Sequence, residues 1–144
     1  MNKFELEDYL REARPGGEFE WRSHKSLMVF GFHWPKIDDD DGEVGTYESA
    51  FALNLTQVDL PDPDFDLLNF WTRLSSSKPI SLKFVNDLNH KTRFVRHVLF
   101  EDSNLDVMLD VAENSRELTP TVFNKYYTLF SMAVGRLKLA FPTD

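Results

Sequence analysis

The chain has 144 residues, 42% of them hydrophobic, and a formal net charge of −8. Its length and its 13 Phe residues suffice for a single domain over 1–144 with a large core, which excludes a wholly disordered chain. The absence of cysteine excludes disulfides and thiolate metal sites. No apolar run is long enough for a transmembrane helix and the N-terminal segment is too charged for a signal peptide, so we expect a cytoplasmic protein without a membrane partner.

Charge is distributed unevenly along the chain. The window from Ile37 to Thr72 holds ten acidic residues and no Lys, Arg or His. The next window, from Arg73 to Arg96, holds six Lys and Arg residues and one acid, Asp87. The overall acidity would repel a phosphate backbone, so we expect no nucleic acid partner.

The first half of the chain predicts one helix and three strands. The helix covers residues 3–13 and stops before a Pro-Gly-Gly turn, and the strands cover 19–22, 27–33 and 47–55. Trp34-Pro35 is predicted to end the second strand because proline cannot donate to a ladder.

The second half predicts helices over 65–74 and 81–89, then strands over 94–101 and 105–111, then a helix from Thr119-Pro120 to about Phe141. Asp64 is the expected N-cap of the first of these helices. The last strand alternates strictly, which places Asp106 and Asp110 on a face open to solvent. The element order α-β-β-β-α-β-β-α therefore predicts an α+β fold with an antiparallel five-stranded sheet.

Residues 85–141 resemble the YbjN family of small bacterial proteins. The similar features are the helix end Asn86-Asp87-Leu88-Asn89, the basic Arg93-Phe94, the strand pair Val95–Glu101 and Leu105–Val111, and the aromatic-rich last helix. The element order is also similar to that of type III secretion chaperones. The resemblance implies a chaperone-like fold and a role in regulation, and it supplies no catalytic residue.

No enzyme motif is present in the sequence. The chain lacks a Gly-x-Ser-x-Gly elbow and a phosphate-binding glycine loop, and its four histidines have no spacing that favours zinc. We therefore expect a protein that is not an enzyme, with no catalytic residue, no bound metal and no cofactor.

The acidic segment 38–48 suggests a cation site as an alternative. Aligned to a calcium loop, Asp39, Asp41 and Glu48 would be ligands and Gly42 would supply the turn, but Ile37 stands where the first carboxylate is required. A solvated loop between strands also accounts for this composition. The alternative function is thus a regulatory module that responds to a small ligand or a cation through this segment.

Three aromatic residues at element ends are the candidate partner-binding residues: Trp34, Phe70 and Trp71. Aromatic side chains are enriched both in cores and at protein interfaces, so packing is the competing interpretation for each of them. The preferred hypothesis is a non-enzymatic, chaperone-like or regulatory adaptor that binds a protein or peptide and forms a homodimer.

Overall fold

The computed structural model describes residues 1–13, 18–24, 27–37, 44–56, 60, 63–111 and 113–141, with side chains described outside 18–52 and residue 54. Three helices and six strands lie in these ranges: α1 Lys3–Ala13, β1 Glu18–His24, β2 Leu27–Ile37, β3 Val44–Thr56, β4 Leu67–Ser75, α2 Leu82–Lys91, β5 Arg96–Glu101, β6 Asn104–Val111 and α3 Pro120–Ala140. The strands form one antiparallel sheet in the order β1-β2-β3-β4-β6-β5. The predicted α+β class is confirmed.

Local capping signals set the beginnings of the helices. At α1, Asn2 Oδ1 accepts hydrogen bonds from the backbone N–H groups of Phe4 and Glu5. The Glu5 carboxylate accepts a hydrogen bond from the backbone N–H of Asn2. At α3, Thr119 Oγ1 accepts from Val122 N at 3.2 Å, and proline follows at the first helical position. Each cap satisfies N–H groups that have no partner inside the helix.

The three helices cover one face of the sheet. Leu6 and Leu10 of α1, Val85 of α2 and the apolar residues of α3 belong to the same buried cluster as the inward residues of β4 and β6. The ring of Phe70, at the centre of β4, lies 5.3 Å from that of Phe123. This face of β4 and β6 is consequently closed to solvent.

Residues 67–75 form a strand, so the predicted helix over 65–74 is wrong and the sheet has more than the predicted five strands. Burial in β4 alternates, with Leu68, Phe70, Thr72 and Leu74 buried and their neighbours half-buried or exposed. The helical spacing of Leu67, Leu68 and Trp71 is misleading because Leu67 and Trp71 lie on the other face. Thr72 is polar but buried, so the sequence of β4 lacks the regular apolar–polar alternation that predicts a strand.

The residues that flank β4 also differ from the prediction. Asp64 is not an N-cap: its Oδ1 accepts a hydrogen bond from Ser115 Oγ at 3.1 Å, which ties the segment before β4 to the turn before α3. The second strand does not end at Trp34-Pro35 but continues to Ile37, with register shifts at the proline. An irregularity of this kind lets a strand accommodate a residue that lacks an N–H.

The alternation predicted for the last strand is confirmed. In β6, Leu105, Val107, Leu109 and Val111 are buried, and the intervening residues are half-buried or exposed. Asp106 and Asp110 therefore lie on the face opposite the helices.

A matched pair of leucines in β4 tests the strand assignment. Leu68 is 1% exposed and Leu67 is 50% exposed. We expect Leu68→Ala to lower the free energy of unfolding by about 2–5 kcal/mol, because it leaves a cavity in the core. Leu67→Ala should lower it by less than about 1 kcal/mol, because that side chain already faces solvent. Urea unfolding measures both, and equal losses would contradict the alternation.

Candidate functional site

The face of the sheet opposite the helices, here called the open face, is the main candidate site. Trp71 of β4 lies opposite Met108 of β6, which in turn lies opposite Arg96 of β5. The described members of the open face are Thr56, Leu67, Asn69, Trp71, Arg73, Ser75, Arg96, Val98, Phe100, Glu101, Asn104, Asp106, Met108 and Asp110.

Arg73 organises the centre of the open face. Its Nε lies 2.6 Å from Asp106 Oδ1 and its Nη2 lies 3.0 Å from Asp106 Oδ2, so the ion pair is bidentate. The guanidinium also lies 3.4 Å from the ring centroid of Phe100 and 5.4 Å from that of Trp71. The hydrogen bond that Arg73 donates to Asp106 raises the pKa of Arg73 above its ordinary value. Arg73 thus holds two aromatic side chains and one carboxylate in a fixed arrangement.

Polar pairs flank this centre near the beginning of β4 and the end of β6. Asn69 Nδ2 donates to Asp110 Oδ1 at 2.7 Å, and Arg96 Nη2 lies 3.3 Å from Asp110 Oδ2. The described open face therefore carries two arginines, two aspartates and Glu101 beside its apolar side chains. It is an amphipathic surface with charges of both signs.

The three aromatic residues predicted from sequence are not brought together. Phe70 is 0% exposed and packs on the rings of α3, so it is a core residue and is not available to a partner in this fold. Trp71, the next residue, is half-buried on the open face. Trp34 lies in β2 with its backbone opposite Ser49, and its side chain is outside the described residues.

Sequence reasoning missed Arg73 and Phe100 as parts of this surface. Phe100 is 51% exposed, and the neighbouring edge residue Val98 is 41% exposed. The sequence signal is that Val98 and Phe100 are apolar residues two positions apart in β5. This spacing identifies a surface only when the sheet order is known, with β5 at the edge next to β6.

The edge strand β5 is capped by a side-chain amide of α2. Asn89 Oδ1 accepts from His97 N at 2.8 Å, and Asn89 Nδ2 donates to His97 O at 2.9 Å. Asn89 therefore takes the place of a neighbouring strand at His97. Covering backbone groups in this way opposes pairing of the edge with another chain.

His97 itself is a buried titratable group beside this cap. Its side chain is 3% exposed, and its Nδ1 lies 3.0 Å from Asn89 Oδ1. An amide oxygen can only accept, so this contact favours the neutral tautomer with a proton on Nδ1. Burial lowers the pKa of His97, because the charged imidazolium loses hydration. The group is therefore a structural element and not a proton donor poised at neutral pH.

The cation alternative gains no support from the described ranges. Most of the acidic segment, residues 38–43, lies outside them, and only its end from Val44 belongs to β3. Among the residues that the structure describes, no group of three His, Asp or Glu side chains could hold a metal ion. In the same ranges, no helix combines the length and hydropathy that a membrane span requires.

Comparison of the chain with protein-family models, with curated proteins and with solved structures gives no match.

The burial of His97 predicts a pH-dependent stability. Histidine in an unfolded chain has a pKa of about 6.5, so the unfolded chain binds a proton at His97 more readily than the folded protein does. The free energy of unfolding should therefore be highest above that pH and fall as the pH is lowered toward 5. Chemical unfolding of His97→Gln at several pH values should lack this decrease.

Exposed His90 provides the matched control, since His90→Gln removes a histidine from the same region without altering the buried one. It should keep the decrease in stability between pH 7 and 5. The explanation fails if His97→Gln and the original protein lose stability in parallel over this range.

Proposed function

We propose that this protein is a non-enzymatic interaction module that works as a homodimer, with the open face of the sheet as its subunit interface. The observation that carries the proposal is the Arg73–Asp106 pair, whose guanidinium lies 5.4 Å from the Trp71 ring and 3.4 Å from the Phe100 ring, on a face that no described helix covers. Ordered aromatic side chains around a bidentate arginine are typical of the centres of protein interfaces.

Exposed apolar area supports this use of the face. Leu67, Val98 and Phe100 are each 41–51% exposed, and they lie around the half-buried Trp71 and Met108. Covering such side chains removes apolar surface from water, which is the main favourable contribution to association. Single exposed apolar residues are ordinary on a protein surface, whereas a group on one sheet face favours an interface.

The charges favour a second copy of the chain as the occupant. The whole chain has a net charge of −8, which would drive two copies apart. The described open face carries charges of both signs: Arg73 pairs with Asp106, Arg96 pairs with Asp110, and Glu101 lies opposite Asn104. A two-fold dimer requires a surface that complements itself, and a face that carries both signs of charge can satisfy that requirement.

The cap on β5 favours association by the face and not by the edge. Asn89 already occupies the backbone groups of His97 that another strand would need. A dimer that extends the sheet at β5 would have to displace this amide. Face-to-face packing leaves it in place.

The biological class of the module is part of the same proposal. The resemblance of Asn86–Asn89 and the following hairpin to the YbjN family supports a regulatory or chaperone-like adaptor. In such a protein the dimer would be the scaffold that presents sites for a further protein or peptide.

The oligomeric state tests the proposal. Sedimentation velocity from low micromolar to near-millimolar protein should show a monomer that converts to a dimer. Val98→Lys should weaken the dimer by at least about tenfold, because it places a charge in the apolar interface. The variant should still fold, since lysine is well tolerated on an edge strand and Asp106 lies opposite.

Leu139→Lys is the matched control, because Leu139 is 90% exposed on α3, away from the open face. It should dimerise like the original chain. A strict monomer at all concentrations would refute the proposal, and so would equal weakening by both lysine variants.

A further inference from the structure

A second surface, on the helical side of the molecule, is a groove between the α2–β5 connection and α3. Its cavity has a volume of about 310 Å³, at the lower end of the range for ligand pockets. It is defined by Lys91, Arg93, Phe94, Leu129, Met132 and Arg136, and is here called the α3 groove. Because α3 packs on the closed face of the sheet, this groove is separate from the open face.

The charge of the α3 groove is of one sign. Lys91, Arg93 and Arg136 are exposed, and no acidic residue is among its lining. None of the three forms a salt bridge with any residue in the described part of the chain. In a protein with a net charge of −8, three cations at one groove form a local site for negative charge.

The floor and one wall of the groove are apolar. Val95 and Ala133 are each 6% exposed, while Met132 is 48% exposed and Phe94 is 74% exposed. An anion alone would leave these side chains in water. The groove therefore suits a ligand that has an apolar group together with negative charge.

Phe94 adds an independent observation, because it is held in a strained conformation. Its φ is 70°, in the left-handed region that glycine or asparagine normally occupies. The side chain gains little burial in return, since 74% of it is exposed. Backbone strain that packing does not explain is concentrated at functional sites.

We propose that the α3 groove binds a peptide segment of a partner protein in which carboxylates surround one bulky apolar side chain. The apolar side chain lies against Phe94 and Met132, and the carboxylates pair with Arg93 and Arg136. The volume fits one or two side chains. This inference rests on the proposed function as an interaction module, and it adds the chemistry of the partner.

A single-stranded nucleic acid is the competing occupant, because it also combines negative charge with stacking surfaces. The overall net charge of −8 opposes a long polyanion, whereas a short acidic peptide experiences chiefly the local cations. The observations therefore favour the peptide.

Fluorescence anisotropy with two labelled probes tests the inference. The first probe is the peptide Asp-Glu-Asp-Phe-Glu-Asp-Glu, and the second replaces every acid with its amide. The acidic probe should bind at least about tenfold more tightly than the amide probe, and high salt should weaken it. Arg93→Gln combined with Arg136→Gln should reduce binding of the acidic probe by at least about tenfold.

Arg116→Gln is the control, since Arg116 is exposed and is not among the residues that line the groove. It should leave affinity unchanged. Phe94→Gly should abolish binding without lowering the melting temperature, because glycine removes the strain together with the aromatic contact. A residue with only a packing role would instead lower the melting temperature when truncated.

The titration is repeated with Val98→Lys, which separates this inference from the dimer. We expect the monomeric Val98→Lys variant to bind the acidic probe. No saturable binding at near-millimolar peptide, equal binding of both probes, or tighter binding of an oligothymidylate would each overturn the inference, whatever the oligomeric state.

Discussion

The packing of Phe70 against α3 is the interaction on which the rest of the structure depends. Its ring lies 5.3 Å from Phe123 and 5.5 Å from Phe130, in the middle of the central strand β4. Because neighbouring strand residues point to opposite faces, burial of Phe70 directs Trp71 and Arg73 away from the helices. A shift of one residue would exchange the two faces. The closed core and the open face are thus consequences of one register.

That register also places the two proposed surfaces on opposite sides of the molecule. The open face carries paired charges, as the Arg73–Asp106 ion pair illustrates, and this suits a surface that meets its own copy. The α3 groove carries cations that have no described ion-pair partner, which suits a ligand of opposite charge. The two surfaces can act independently, so a dimer would present two grooves and gain avidity for a partner with two acidic segments.

Sequence patterns predict most of the fold where one physical signal dominates. The capping proline of α3 and the alternation of β6 are such cases, and both are confirmed. The pattern fails at β4, because Leu67 and Trp71 are apolar residues on a surface that remains open in the described chain. The spacing of apolar residues there favours a helix, whereas pairing with β3 and β6 on both sides favours a strand.

The candidate sites are less predictable than the fold, for a related reason. Trp71 is identifiable from its position at an element end, but its partners Arg73 and Phe100 come from two strands separated by α2. Phe94 has no local signal at all, since neither glycine nor asparagine marks its left-handed backbone. Sites assembled from separate elements require the sheet order, which the sequence does not give.

Hydroxyl-radical footprinting at two protein concentrations tests the central claim that one sheet face is closed by helices and the other by a second copy. At low concentration Trp71, Met108 and Phe100 should react and Phe70 should not. At high concentration the first three should become protected, while Phe94 and Met132 remain reactive. Reaction of Phe70 at the rate of Phe100, or open-face reactivity that does not change with concentration, would contradict the account.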